Sequence, residues 1–191
     1  MKLLDLKNID KHVFGYEDIA RALNISRSSA MVTASRYLKT GFIIRLKRNL
    51  YILKDKWEIL DINQRFIIAN LIQTPSYISL MTALSYYQVT TQIQQQFFES
   101  IAIKRTKTVN VEKSIFTYNK IKLELYTGFS RQNNYFIAIP EKAYLDAVYL
   151  KSLGRYSFDM HSIDFEKLDA NTINEFVELY PIQVKKIVVQ K

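Results

Sequence analysis

Arg27, Ser28, Ser29, Val32, Ser35 and Arg36 lie within one short stretch, Arg27–Arg36. At helical spacing, Ser28, Ser29, Val32, Ser35 and Arg36 share a face with Lys39, opposite Ala30, Ala34, Tyr37 and Leu38. Hydroxyls and first-turn amides suit phosphate oxygens. A guanidinium such as Arg36 can pair with guanine in a major groove, and an exposed valine such as Val32 can pack on a thymine methyl. The alternative for this face is an ordinary solvated surface with no partner. A second polar group, Arg45, Lys47, Arg48 and Asn49, follows within a few residues. It would reach an adjacent nucleic-acid backbone or minor groove, or else serve as a charge cluster that keeps a hairpin soluble.

Positioning these groups requires a specific order of elements. Ile19, Ala20 and Leu23 form the core-facing stripe of one helix. Asn24 tolerates the left-handed conformation of a tight turn, Ile25 fills the angle, and Ser26 is a good N-cap for the next helix. That helix ends at Thr40-Gly41. Residues 42–53 (FIIRLKRNLYIL) then read as a hairpin with its tip at Lys47-Arg48-Asn49, where Asn49 supplies a positive φ. Helix, turn, helix and basic hairpin in this order predict a winged helix-turn-helix. A further short helix is expected over Leu3–Val13, stopped by Gly15.

The charge distribution agrees with that reading. The 191-residue chain has a net charge of +9. Residues 1–57 hold 12 Lys and Arg against 5 Asp and Glu, a net of +7, whereas residues 58–191 are nearly neutral at +2. The division predicts a polyanion-binding domain over 1–57 and a second domain over 58–191 with another task. At 48% hydrophobic and 13% aromatic the chain can bury a core. The absence of cysteine excludes disulfides, thiolate metal sites and cysteine nucleophiles. No apolar run approaches the ~20 residues of a membrane span, and Asp5 and Lys7 interrupt the stretch a leader peptide needs. The expectation is a soluble, cytoplasmic protein.

In the second domain, Trp57–Asn63 reads as a linker and Gln64–Gln73 as loosely helical. Tyr77–Tyr87 reads as a helix with Leu80, Ala83, Leu84 and Tyr87 on one face. A two-residue period then predicts strands in Phe97–Arg105, Thr108–Val111, Ser114–Asn119 and Tyr135–Ile139, and Pro140 opens a helix to Leu150. The expected class is α+β, with helices flanking a small antiparallel sheet.

Enzymatic signals are weak. His12 and His161 stand far apart, so no metal is expected, and four scattered glycines make no phosphate loop. Glu124 has no partners for nuclease chemistry. Glu141, Lys142 and Asp146 share a helix, where its dipole alone favours an early carboxylate. Lys104-Arg105-Thr106-Lys107 reads as a solvated turn, or as a contact for DNA, RNA or protein. The tyrosines, Tyr37, Tyr86 and Tyr144 especially, read as packing. No cofactor and no catalysis are expected.

The chain resembles the AbiEi-type antitoxins, transcriptional regulators of bacterial phage-defence toxin–antitoxin operons of type IV. The likeness rests on Arg45…Arg48-Asn49-Leu50-Tyr51 in the wing, YISLMTALSYY at 77–87, Ile103-Lys104-Arg105 and PEKAYLDAVYL at 140–150. These span roughly residues 10–150 in order. Asn49 and Gln88 stand where the family commonly has glycine, and the segment 92–96 is glutamine-rich rather than proline-containing. The resemblance implies a repressor that binds inverted repeats of double-stranded DNA in its own promoter and counters a nucleotidyltransferase-like toxin. The rival readings are a module that captures a toxin or RNA directly and, third, a nuclease targeted by its winged helix.

Overall fold

The computed structural model describes Leu6, Lys7, Ile9 and residues 11–189. It is a mixed α/β chain that divides between Arg65 and Phe66 into two compact units.

In the first unit, α1 (Tyr16–Leu23) begins after Gly15, whose amide donates to Asp18 Oδ2 at 3.0 Å. Asn24 ends it in the left-handed conformation (φ 49°, ψ 53°). Ser26 caps α2 (Arg27–Lys39), its Oγ accepting from the Ser29 amide at 3.1 Å. After Gly41 (φ +73°) the chain forms the antiparallel hairpin β1 (Ile43–Lys47) and β2 (Leu50–Leu53). A bulge between Arg45 and Lys47 precedes the turn, and Asn49 takes φ 57°. The core gathers Leu6, Phe14, Ile19, Ala30, Ala34, Ile43, Tyr51 and Leu53. The hairpin is thus anchored by the same apolar groups that join the two helices.

Three expectations change here. The helix over Leu3–Val13 falls partly outside the described residues, and Met1–Asp5 lies wholly outside them. Leu6 and Lys7 are helical, but Phe14 pairs with Tyr51 as an isolated bridge, and Gly15 starts a helix rather than stopping one. Trp57–Asn63 is no linker. Trp57 is buried on α3 (Lys54–Glu58), Leu60 is buried, and α4 (Ile62–Ile72) has begun. The compact units therefore divide at 65/66 rather than 57/58, because the apolar groups around Trp57 pack instead of spanning solvent.

The second unit holds a six-stranded sheet in the order β5-β6-β4-β3-β8-β7. Its strands are β3 (Ser76–Ile78), β4 (Phe97–Ala102), β5 (Lys107–Val111), β6 (Ser114–Lys120), β7 (Phe129–Gln132) and β8 (Tyr135–Ala138). The sheet is mixed, not antiparallel: β4 runs parallel to β6, and β3 parallel to β8. The turn at 103–106 and the β5–β6 hairpin are two successive reversals, so β6 runs with β4. The other pairs are antiparallel. The segment expected as one helix over Tyr77–Tyr87 is strand β3 followed by α5 (Leu80–Tyr86). Packing around the sheet is led by α6 (Pro140–Ser152), whose residues 141–150 are all buried. It contacts α5, α7 (Ala170–Val177) and α8 (Ile182–Val189).

Candidate nucleic-acid interface

Helix α2 turns Ala30, Thr33 and Ala34 inward. Its outward row carries Arg27, Ser28, Ser29, Val32, Ser35, Arg36 and Lys39, all exposed. Val32 is 57% exposed, and Met31, at 43%, adds an apolar group that the sequence pattern did not single out. Arg36 makes no side-chain hydrogen bond or ion pair among the described residues, so its guanidinium fork is open. Ser26, Ser28 and Ser29 are joined through their hydroxyls at 2.9 Å, leaving Ser28 and Ser29 at the helix N-terminus. On the hairpin, Arg45, Lys47 and Arg48 are exposed, and Asn49 is half-buried.

Two of these residues are already engaged. Arg27 Nε donates to Glu17 Oε1 at 2.8 Å and its guanidinium lies 5.8 Å from the centre of the Tyr16 ring. Asn49 Oδ1 accepts from the Tyr16 amide at 2.6 Å, while Asn49 Nδ2 donates to Glu17 Oε2 at 3.3 Å. Glu17 thus ties the starts of α1 and α2 to the hairpin tip. The Arg27 hydrogen bond leads the interactions that lower its carboxyl to about 2. The sequence offered no signal for this knot, since Glu17 and Asn49 are 32 residues apart.

Asn49 therefore has a cap to supply as well as a turn to form. Gly15 belongs to the same contact, because a Cβ there would lie 3.0 Å from Asn49 Oδ1. Asn49→Gly keeps the positive φ but removes the acceptor for α1. It should cost about 1 kcal/mol, the usual worth of a helix cap, in urea denaturation. An unchanged midpoint would show that the cap carries no weight.

The second unit encloses a polar cluster that sequence spacing only partly revealed. Lys142 and Asp146 form an ion pair with both side chains fully buried. Lys142 Nζ also donates to Tyr180 Oη at 2.7 Å, and Tyr180 Oη donates to Asp146 Oδ1 at 3.0 Å. Tyr77 Oη and Ser79 Oγ donate to Asp146 Oδ2 at 2.9 and 2.8 Å. Burial pushes the Lys142 ammonium below the ordinary lysine range, with Asp146 pulling it back, and burial pushes the Tyr77 and Tyr180 phenols well up. Gly128 (φ +71°) makes room, since a Cβ there would lie 2.9 Å from Lys142 Cγ and 2.8 Å from Phe176 Cε1. Closed to solvent, these groups brace α6 against β3 and the chain after α7. Glu141 is apart from them and accepts from the Asp169 amide at 3.0 Å.

The remaining candidates are scattered. Lys104 and Arg105 are exposed in the turn before β5, where Arg155 Nη2 donates to Thr106 Oγ1 at 3.0 Å and adds another cation. Glu124 is exposed on a single 3-10 turn, Leu123–Leu125. Among the described residues no group of three or more His, Cys, Asp or Glu is placed to hold a metal ion. Among them, too, no helix is long and apolar enough to cross a membrane. Compared with known proteins, the chain matches no family model and no curated protein.

Proposed function

We propose that the first unit is a winged helix-turn-helix that binds double-stranded DNA, and that the chain is an autoregulating repressor and antitoxin of the AbiEi type, without catalytic activity. In this reading α2 enters the major groove. Arg36 reads a base, Val32 packs on a thymine methyl, and Ser28, Ser29 and Ser35 meet the backbone. Arg27 approaches from the first turn, oriented by Glu17. Arg45, Lys47 and Arg48 follow the neighbouring phosphates, and Asn49 shapes the turn that presents them. The observation that carries this reading is the outward row of α2, where an open arginine and a 57%-exposed valine lie beside serine hydroxyls. The concentration of a net +7 in residues 1–57 supports it. The repressor and antitoxin roles follow from the resemblance, in which the second unit counters a nucleotidyltransferase-like toxin.

The test is fluorescence anisotropy on the upstream DNA of the protein's own gene, beside a scrambled duplex, across a salt series. Preference for the upstream fragment that is lost in the Arg27→Ala/Arg36→Ala double variant is the expected result. Arg36→Ala alone should cost about 1–3 kcal/mol on the preferred site and relax specificity there. An equal loss on every sequence, with the salt slope reduced by about one, would make Arg36 a phosphate contact instead. Equal weak binding to both duplexes in the unaltered protein would overturn the repressor reading.

A further inference from the structure

One end of the sheet in the second unit collects cations from three separate elements. The turn from β4 to β5 carries Lys104 and Arg105, the end of β6 carries Lys120, and the chain after α6 carries Arg155; all four are exposed. Thr106 joins them. Its exposed Oγ1 accepts from the Lys120 amide at 3.0 Å and from Arg155 Nη2 at 3.0 Å, across 14 and 49 residues. The turn is also pinned by the buried Gln73, whose Nε2 donates to the Arg105 carbonyl at 2.8 Å. Among the described residues Lys104, Arg105, Lys120 and Arg155 form no ion pair. Lys142, Lys167 and Lys185 of the same unit each have a carboxylate partner. Residues 101–122 hold six cations against one carboxylate, Glu112, which lies at the opposite end of the β5–β6 hairpin. Protection of an edge strand from pairing would account only for Lys107, the one cation on β5.

We infer that this end of the sheet binds a single-stranded nucleic acid, seating a phosphate at Thr106 and an unpaired base beside Phe158. The site is separate from the duplex-binding surface proposed for the first unit and does not depend on it. Thr106 Oγ1 already accepts two bonds, so its proton is left to donate outward. A phosphate oxygen is a stronger acceptor for it than water. Arg155 commits Nη2 to Thr106 and keeps the rest of its fork for the same anion. Lys104, Arg105 and Lys120 surround that seat, and the bonds to Thr106 and Gln73 fix their backbone before any ligand arrives, which lowers the ordering cost. Beside the cations lies an aromatic flank. Arg155 leads into Tyr156 and Phe158, whose ring centroids are 5.9 Å apart, and Lys151 Nζ stands 5.1 Å from the centre of the Phe158 ring. Phe158 is half-buried, and Leu153 next to Gly154 is exposed. Cations interleaved with a partly open ring suit a strand whose bases are free to stack, whereas a duplex keeps its bases inside. An acidic peptide would meet the cations and leave the ring unused.

The experiment uses the full chain and a fluorescein-labelled, unstructured strand of about 12 nucleotides, prepared as RNA and as DNA, in anisotropy titrations across a salt series. At least one strand should bind saturably, and the tighter of the two identifies the sugar. Arg105→Ala/Lys120→Ala removes two exposed cations and should leave the urea midpoint unchanged. It should weaken strand binding about tenfold and lower the salt slope by about 1.4. Affinity for a duplex of the same sequence should not change in that variant. Arg45→Ala/Arg48→Ala, an equal loss of charge in the first unit, should leave strand binding nearly unaltered. Thr106→Val should also cost about tenfold, and Thr106→Ser should restore the affinity. A strand of equal length without bases should bind the unaltered protein about fivefold more weakly than the intact one, a gap that Phe158→Leu closes. The proposal is overturned if neither strand binds, or if Arg105→Ala/Lys120→Ala weakens the duplex as much as the strand. It is overturned equally if the first-unit variant loses as much strand affinity, or if the baseless strand or polyglutamate binds as tightly as the intact strand.

Discussion

Replacing Asp146 with alanine is expected to lower the free energy of unfolding by about 3–5 kcal/mol, the loss typical when one member of a buried ion pair is removed. The reason lies in what the carboxylate serves. It accepts from Lys142, Tyr180, Tyr77 and Ser79 together, and none of these groups has access to water. Without it an ammonium remains in an apolar setting among three hydroxyls that have lost their acceptor. Lys142 can shed its proton, because burial already pulls it below the ordinary lysine range, and that response limits the damage. The measurement is urea denaturation followed by far-ultraviolet circular dichroism. Replacing the pair together, as Lys142→Met/Asp146→Leu, removes the charge but still leaves Tyr77, Ser79 and Tyr180 unpaired. The double variant should therefore recover part of the loss and not all of it. A single-variant loss below about 1 kcal/mol would mean that water reaches the cluster and screens it.

This cluster also marks where sequence reading stopped. Lys142 and Asp146 are one helical turn apart, and their proximity to each other was legible. Their burial was not, because PEKAYLDAVYL shows an amphipathic helix only if one face is polar, whereas α6 is covered all round. Tyr77, Ser79 and Tyr180 arrive from 34 to 69 residues away, a distance no local pattern spans. The same cause hid β3: Ser76–Ile78 is buried on both faces, and a short apolar run next to a helix reads as more helix. Strand direction was hidden too, since alternation is alike in parallel and antiparallel pairs. The first unit was legible by contrast, because its signals are local. Asn24, Ser26, Gly41 and Asn49 each perform the turn or cap that their residue type favours. What escaped that reading is long-range: the Glu17 knot across the hairpin, the Phe14–Tyr51 bridge ahead of Gly15, and the burial of Trp57.

Stability should fall as the solution is made more alkaline from about pH 5 to pH 8, and Glu99 should be the main cause. Its side chain sits on β4 with 2% exposure, facing the start of α5 and the Tyr156 hydroxyl, which donates to Oε2 at 3.0 Å. Desolvation raises its carboxyl from 4.5 to about 7, against opposing hydrogen bonds from Tyr156 and the amides of Thr82 and Met81. The folded protein therefore holds this proton more tightly than the unfolded chain. The stabilisation is complete below pH 4.5, where both states are protonated, and is lost as pH rises through 7. The full excursion is about 3 kcal/mol. Glu99→Gln keeps the size of the side chain and an acceptor for Tyr156 but has no charge to acquire. It should match the parent at pH 4, exceed it by up to about 3 kcal/mol at pH 8, and flatten the profile between. Parallel urea titrations at pH 4 and pH 8 supply the comparison. Identical slopes for parent and variant would place the titration elsewhere and show that Glu99 is solvated by a path the packing of α5 and Tyr156 does not reveal.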